Sequence, residues 1–249
     1  MSRFFVEDRN IREDKIVIDD PRDVRHMVKA LRMKPGEMVD VSDSREWEYK
    51  GRILSLAADA VMVKILDRRR FAKEPKLRVT LYQGIPKQGK MESVIQKSVE
   101  LGVSAVVPVF TARTIAEERA GFAKKTARWR RVAEEAVKQC GRGVIPPVDE
   151  AIGFAEAIRR FASADDGYEV VLFPYEAEEE RSVKQVLREF PAAPRTAAVI
   201  IGPEGGFSEE EAAALKNAGC ESVSLGKTIL RTETAGPAAL AMMMYEWEL

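Results

Sequence analysis

IGPEGGFSEEEAAAL, residues 201–215, decides the fold class. The apolar run TAAVIIG (196–202) ends there, a proline and two glycines follow, and then Ser208 precedes Glu211 in an S-x-x-E pattern. A short Val/Ile-rich run is a strand, and S-x-x-E before an alanine-rich stretch is a capping box that opens a helix. Strand, glycine-bearing turn and helix form the repeating unit of a parallel α/β sheet.

The flanking sequence repeats the unit. Strands are expected at LRVTLYQGI (77–85), VSAVVPVF (103–110), YEVVLFPYE (168–176) and ESVSLG (221–226). Helices are expected at 90–102, 117–140, 153–162, 182–190, 208–218 and from about Glu233 to the end. Gly236 and Pro237 then fall in the first turn of the last helix, where proline is tolerated. Upstream the pattern differs. KIVID (15–19), EMVDVS (37–42), RILSLA (52–57) and AVMVKIL (60–66) are short strands around one helix, about Arg22 to Met33, stopped by KPG. Short strands around a single helix predict a small barrel. DRRRFAKEPK (67–76) reads as the linker. The expected domains are 1–72, a small β-barrel, and 76–249, the α/β domain.

The chain has 249 residues and a formal net charge of zero, unevenly spread. Residues 1–75 carry a net +2, residues 76–148 a net +8 and residues 149–249 a net −10. A concentrated basic middle can attract nucleic acid. No apolar run reaches membrane-spanning length, and the first residues lack the apolar core of a signal peptide. Cys140 and Cys220 form no C-x-x-C motif and read as free cytosolic thiols. The single histidine, His26, argues against a zinc site or a Ser-His-Asp triad and reads as a helix or barrel-surface residue. No metal is expected.

In open parallel sheets, ligands bind beyond the carboxyl ends of the strands. Three such ends stand out: FPYEA (173–177), GPEGG (202–206) and LGKTILRTETAG (225–236). The glycine spacing at 202–206 does not match the dinucleotide fingerprint, and the capped, glutamate-loaded helix start disfavours a polyphosphate. The loop suits a neutral or cationic ligand. Ile229 and Leu230, apolar between polar neighbours, read as a pocket wall or a buried segment.

IGPEGGFSEEE followed by LGKTILRTETA resembles the signature of the SPOUT methyltransferases. With RHMVKALRMKPGE (25–37), KMESVIQKSVELGVSAVVPV (90–109) and RWRRVAEEAVKQCGR (128–142), the chain resembles the bacterial family that methylates N3 of one uridine in 16S ribosomal RNA. That resemblance implies a PUA-like barrel and a C-terminal α/β domain tied in a trefoil knot. It implies a cytoplasmic homodimer joined through AALAMMMYEWE, with 16S rRNA or the small ribosomal subunit as partner. It implies bound S-adenosylmethionine, held at the first strand end by Leu172 and Phe173 and at the second by Ile201, Gly202, Pro203, Glu204, Gly205 and Gly206. Leu225, Gly226, Ile229, Leu230, Thr234 and Ala235 complete the set at the third.

For catalysis, Arg231 is expected to stabilise a uridine anion, and Glu233 or Glu204 to accept the N3 proton. Members of that family often have a more basic N-terminal domain than the net +2 found here. RNA contacts are therefore expected from Lys87, Lys90, Arg113 and Arg142 of the basic middle, with Arg25. Two readings from other classes are an RNA-binding protein with a vestigial methyltransferase domain and a Rossmann-like nucleotide enzyme. Within the preferred class, the alternative is a substrate in transfer RNA or at another ribosomal position.

Overall fold

The computed structural model describes residues 3–71, 74–87, 89–115, 122–163 and 167–249. Residues 117–121 of the expected basic helix and residues 72–73 of the expected linker lie outside them.

The chain divides into two units. The first runs to Glu74 and takes in Val137–Ile145; the second comprises Pro75–Ala136 and Pro146–Leu249. In the first, β1 (Arg3–Phe5), β2 (Ile11–Arg12), β3 (Lys15–Ile18), β4 (Met38–Ser42), β5 (Trp47–Leu56) and β6 (Val61–Arg70) form a barrel-like mixed sheet ordered β1-β4-β5-β6-β3-β2. Alternation along the strands sends Ile16, Ile18, Val39, Val41, Val61 and Val63 inward onto Met27 and Val24 of the intervening helical segment. That segment is α1 (Pro21–Arg25), capped by the Asp20 carboxylate, which accepts from the backbone N–H of Arg22 and Asp23. It continues as a π-helical turn over His26–Ala30. Arg32 then takes φ 51, so the chain leaves the helix ahead of the KPG stop. β6 runs through Asp67–Arg70, so the first part of the expected linker is strand. Arg68 and Arg70 lie over the Trp47 ring at 5.0 and 5.5 Å, and this stacking carries β6 past its last apolar residue.

Val137–Ile145 belongs with the barrel because its backbone is bonded there. The Ser42 hydroxyl donates to the Gly143 carbonyl at 2.6 Å, the Ser44 hydroxyl accepts from Ile145 N–H at 2.8 Å, and Arg3 donates to the Gly141 carbonyl at 3.0 Å. Domain ranges of 1–72 and 76–249 do not contain this return.

The second unit holds β7 (Arg78–Gly84), α2 (Lys90–Glu100), β8 (Ala105–Phe110), α3 (Phe122–Cys140, its last turn in the first unit), β9 (Ile152–Gly153), α4 (Phe154–Ala162), β10 (Val170–Pro174), α5 (Val183–Glu189), β11 (Thr196–Ile201), α6 (Glu209–Asn217), β12 (Glu221–Val223) and α7 (Thr232–Trp247). Its strands pair in parallel, ordered β12-β10-β11-β7-β8-β9. The pleat divides their side chains between two faces. Tyr82, Val107, Val109, Phe173, Ala198 and Ile200 pack with Ala157 of α4 and with Ala212 and Leu215 of α6. Leu81 and Gln83 turn the other way, toward Gly236 of α7. Pro237 is the sixth residue of α7 rather than part of its first turn, so the Glu233 carbonyl receives no hydrogen bond from the residue four further on.

Candidate active site

Because β12, β10, β11 and β7 are parallel neighbours, their carboxyl ends open at one edge of the sheet. A cavity of about 840 Å³ lies there. Most of its wall comes from three connections, Pro174–Ser182 after β10, Ile201–Phe207 after β11, and Ser224–Thr232 with Ala235 after β12; Lys90 of α2 and Gln185 of α5 complete it. These are the three strand ends singled out by sequence.

The connection after β11 is shaped by two close approaches. A Cβ on Gly84 would stand 2.7 Å from the Pro203 nitrogen, so only glycine lets the loop lie on the end of β7. Gly206 sits at φ +68, closing a turn in which its N–H donates to the Pro203 carbonyl at 2.9 Å. The capping box then begins α6: the Ser208 hydroxyl accepts from Glu211 N–H, and the Glu211 carboxylate accepts from Ser208 N–H at 3.0 Å. The other Glu211 oxygen accepts from Ala112 N–H at 2.7 Å, anchoring the helix start to the turn after β8. The capping box therefore takes the Ser208 and Glu211 donors that a helix start would otherwise offer an anion.

Of the residues expected at the cofactor, Ile201, Gly202, Pro203, Glu204, Gly206, Leu225, Gly226, Ile229, Leu230 and Ala235 line the cavity. Leu172 and Phe173 are fully buried in β10 instead, Phe173 within the face packed on α4 and α6. Thr234 is exposed on α7, outside the lining. Gly205 is also outside it and lacks positive φ; a Cβ there would press at 3.2 Å on the Arg113 side chain, whose guanidinium donates to the Gly205 carbonyl. The conformational demand thus falls on Gly206. Ile229 is not enclosed as a segment buried from several sides would be. It is 81% exposed at the cavity wall, with Leu230 half-buried beside it.

Five glutamates, Glu176, Glu178, Glu179, Glu180 and Glu204, line the cavity against Lys90, Lys227 and Arg231. Arg231, the N-cap residue of α7, is exposed, and its side chain makes no hydrogen bond or ion pair with the described residues. Lys90, not Arg231, pairs with the two nearby glutamates: its ammonium lies 3.0 Å from Glu204 Oε1 and 3.3 Å from Glu233 Oε2. The second contact is an ion pair without hydrogen-bond geometry at Oε2. Glu204 raises the Lys90 pKa, and Glu233 adds to it. Burial pushes Glu204 upward, but its own backbone N–H, Lys90 and Lys87 N–H together hold the carboxyl below the ordinary carboxylate range. Glu233 is lowered by its own backbone N–H and then by Lys90.

These directions define a pH window. Both carboxylates are depressed, so the bridge is complete above their ordinary range and is lost as pH falls through their folded values. Lys90 is raised, so its part persists through the ordinary lysine range and is lost only at higher pH. Lys90→Met is expected to move the acid limb of cofactor binding to higher pH, read as affinity against pH by calorimetry. An unmoved limb would contradict the bridge.

The five residues expected at RNA separate. Lys87 is exposed, and its backbone N–H donates to Glu204 at 3.1 Å; with Lys90 and Arg113 it surrounds the glycine-bearing loop. Arg25 is exposed on α1 of the first unit. Arg142, in contrast, is only 8% exposed and donates to the Glu74 carboxylate at 2.8 Å. Glu74 also accepts from Gly143 and Val144 N–H, so Arg142 holds the returning segment rather than presenting charge to solvent. Arg142→Ala strands a carboxylate in this half-closed site and is expected to cost about 3 kcal/mol of stability, measurable by denaturant unfolding, with the RNA salt dependence unchanged. His26 is exposed in the first unit, edge-on to Phe4, and takes no part in the cavity.

Sequence reading missed Gln83 and Thr232. Both are buried, Gln83 beneath the cavity and Thr232 in its wall, and the Thr232 hydroxyl joins Gln83 to the Gly202 carbonyl. The signal for Gln83 was a glutamine near the carboxyl end of a central strand, on the face opposite Tyr82. Buried Cys220, in contrast, packs within the face shared with α4 and α6, and burial raises its thiol to about 12, which leaves it unreactive.

Such a fold and cavity define a class: a parallel α/β protein holding a small ligand at its strand ends, joined to a small β-rich unit. Residues 73–244 match the RNA methyltransferase domain, and residues 18–66 the RNA methyltransferase PUA domain. The chain belongs to this RNA methyltransferase family. It is 29% identical over 254 residues to the ribosomal RNA small subunit methyltransferase E of Bacillus subtilis, covering 100% of this chain and 98% of that one. The protein of the same name from Mycobacterium tuberculosis is 31% identical over 217 residues, 86% of this chain and 80% of that one. Among solved structures, ribosomal RNA small subunit methyltransferase E from Neisseria gonorrhoeae, bound to S-adenosyl methionine, is similar with a TM-score of 0.85 and 31% identity, covering 99% and 98% of the two chains. A putative methyltransferase from Legionella pneumophila with bound SAM gives 0.84 and 30%, covering 98% and 96%.

Proposed function

We propose that this chain transfers a methyl group from S-adenosylmethionine to N3 of one uridine in 16S ribosomal RNA of the small subunit, in the cytoplasm. The observation that carries this reading is the convergence of three strand-end connections on one acidic, glycine-lined cavity in a chain of this family. S-adenosylmethionine brings a methyl group on a positively charged sulfonium and has no phosphate. Five carboxylates in the wall and a capped helix start suit that charge pattern.

Uridine N3 is a weak acid, so charge develops on the base as its proton leaves. Arg231 lines the cavity with its guanidinium uncommitted among the described residues, and it meets that charge at O2 or O4. Glu233, the second residue of the same helix and just outside the cavity lining, accepts the proton. A carboxylate held below its ordinary range is a weak base. Proton loss therefore depends more on charge stabilisation than on the acceptor, and Arg231 is the larger contributor. Lys87 and Arg113 beside the loop, with Arg25 on the barrel, supply phosphate contacts.

The knot belongs to the same proposal. The segment after β12 lines the cavity beside the connections that follow β10 and β11, as a threaded chain end does, before α7 begins on the Gly202 carbonyl. Homodimerisation through α7 is supported by Tyr245, which stays 72% exposed on an otherwise largely apolar helix. Sedimentation equilibrium is expected to give a dimer and Tyr245→Glu to shift it toward monomer; a monomeric native protein would contradict this.

The function is tested by label transfer. Methyl-labelled cofactor should label 16S rRNA in small subunits and leave transfer RNA unlabelled; the reverse pattern would contradict the substrate assignment.

A further inference from the structure

The polar contacts beneath the cavity allow one donor arrangement. The Gly202 carbonyl can only accept, so the Thr232 hydroxyl, 2.7 Å away, donates to it. That hydroxyl then offers lone pairs to Gln83, whose Nε2 lies 2.9 Å from it and 3.0 Å from the Gly84 carbonyl. Both amide hydrogens of Gln83 are committed, which fixes its orientation. Its Oε1 points to where Gly236 has no side chain: a Cβ there would lie 3.1 Å from it. Oε1 has no hydrogen-bond partner, although Gln83 is 0% and Thr232 only 5% exposed.

A buried carbonyl without a donor is rare in folded proteins, and a leucine would fill the same space without one. Glutamine is useful here because of what its amide holds. It ties the end of β7 to the first residue of α7, and through Thr232 to the backbone of the glycine-bearing loop. Thr232 stands between Arg231 and Glu233, so whatever fixes it fixes the helix start that carries both.

We propose that Gln83 and Thr232 are positioning residues for methyl transfer. Their relay locks the Gly202 carbonyl, and with it the loop that holds the cofactor, in one register with the helix start that presents Arg231. Gln83 lies outside the cavity lining, and the Thr232 hydroxyl, though in the wall, is committed to Gly202 and Gln83, so the two act through the loop and the helix start. This rests on reading the cavity as the S-adenosylmethionine site and Arg231 as the charge-stabilising group.

Thr232→Val keeps the shape and deletes the hydroxyl; Thr232→Ser keeps the relay. In the full-length protein, melting temperature, S-adenosylmethionine affinity by calorimetry, and kcat and KM for small-subunit RNA would be measured for each. Thr232→Val is expected to fold and to lose about 100-fold in kcat, with cofactor Kd changed by less than about tenfold and the serine variant within about threefold of wild type. Gln83→Leu should lower kcat comparably, and the double variant should be no worse than Thr232→Val, because both break one relay.

A valine variant that melts lower yet turns over at the wild-type rate when saturated would overturn the proposal, as would a serine variant as impaired as valine. If Thr232→Val does not fold, Gln83→Leu decides by the same kcat criterion. A wild-type protein that does not bind S-adenosylmethionine would refute the reading of the cavity; an active wild type with fully active variants refutes the relay alone.

Discussion

Gly206→Val is expected to weaken S-adenosylmethionine binding at least about 100-fold in a protein that still folds. Two effects combine. The backbone at Gly206 sits at φ +68, where a side chain costs about 1–3 kcal/mol and a β-branched one is disfavoured further. The new Cβ would also stand 3.6 Å from the Glu176 carboxylate, and valine's methyl groups would extend past it into a cavity-lining position. Because about 1.4 kcal/mol changes affinity tenfold, strain and lost volume together account for a 100-fold loss. The fold survives because the loop is held at its other end by the capping box and by Glu211 on Ala112 N–H. Calorimetry on the folded variant is the measurement, and a Kd within threefold of wild type would contradict it. Gly205→Val, by contrast, acts on Arg113 outside the cavity and should affect the cofactor less.

Arg231→Ala is expected to lower kcat by about 100- to 1000-fold, the scale for removing one group that stabilises developing negative charge. Arg231→Lys should fall between, because lysine keeps the charge and loses the planar fork. Melting temperature should not move, since the guanidinium is exposed and bonded to none of the described residues. Cofactor affinity should change little, because the interaction matures only in the transition state. Single-turnover methylation beside a melting curve tests this. A variant that is destabilised yet methylates at the wild-type rate when saturated would remove Arg231 from catalysis.

The strand–loop–helix at 196–217 was legible because every local signal agrees: an apolar run, glycines at the turn, and a capping box the structure contains. The parallel sheet and the three strand ends followed from repeats of that pattern. Other features depend on contacts between distant residues. Asp67–Arg70 reads as a linker by charge, yet arginines on Trp47 extend it as strand. Arg142 reads as one more cation in a basic run until Glu74, 68 residues away, takes it. Ile229 and Leu230 left open a pocket wall or a buried segment; Ile229 is mostly exposed at the cavity wall, and Arg231 after them is exposed too. Charge totals by segment cannot separate Lys87, at the loop's surface, from Lys90, spent on two glutamates.

The most direct test of the proposed activity is nucleoside mass spectrometry of 16S rRNA taken from cells lacking this protein and incubated, as small subunits, with the purified protein and S-adenosylmethionine. The account predicts that 3-methyluridine is absent before incubation, appears at one position afterwards, and fails to appear with Arg231→Ala. Methylation at a different atom or base, or 3-methyluridine already present without the protein, would contradict it.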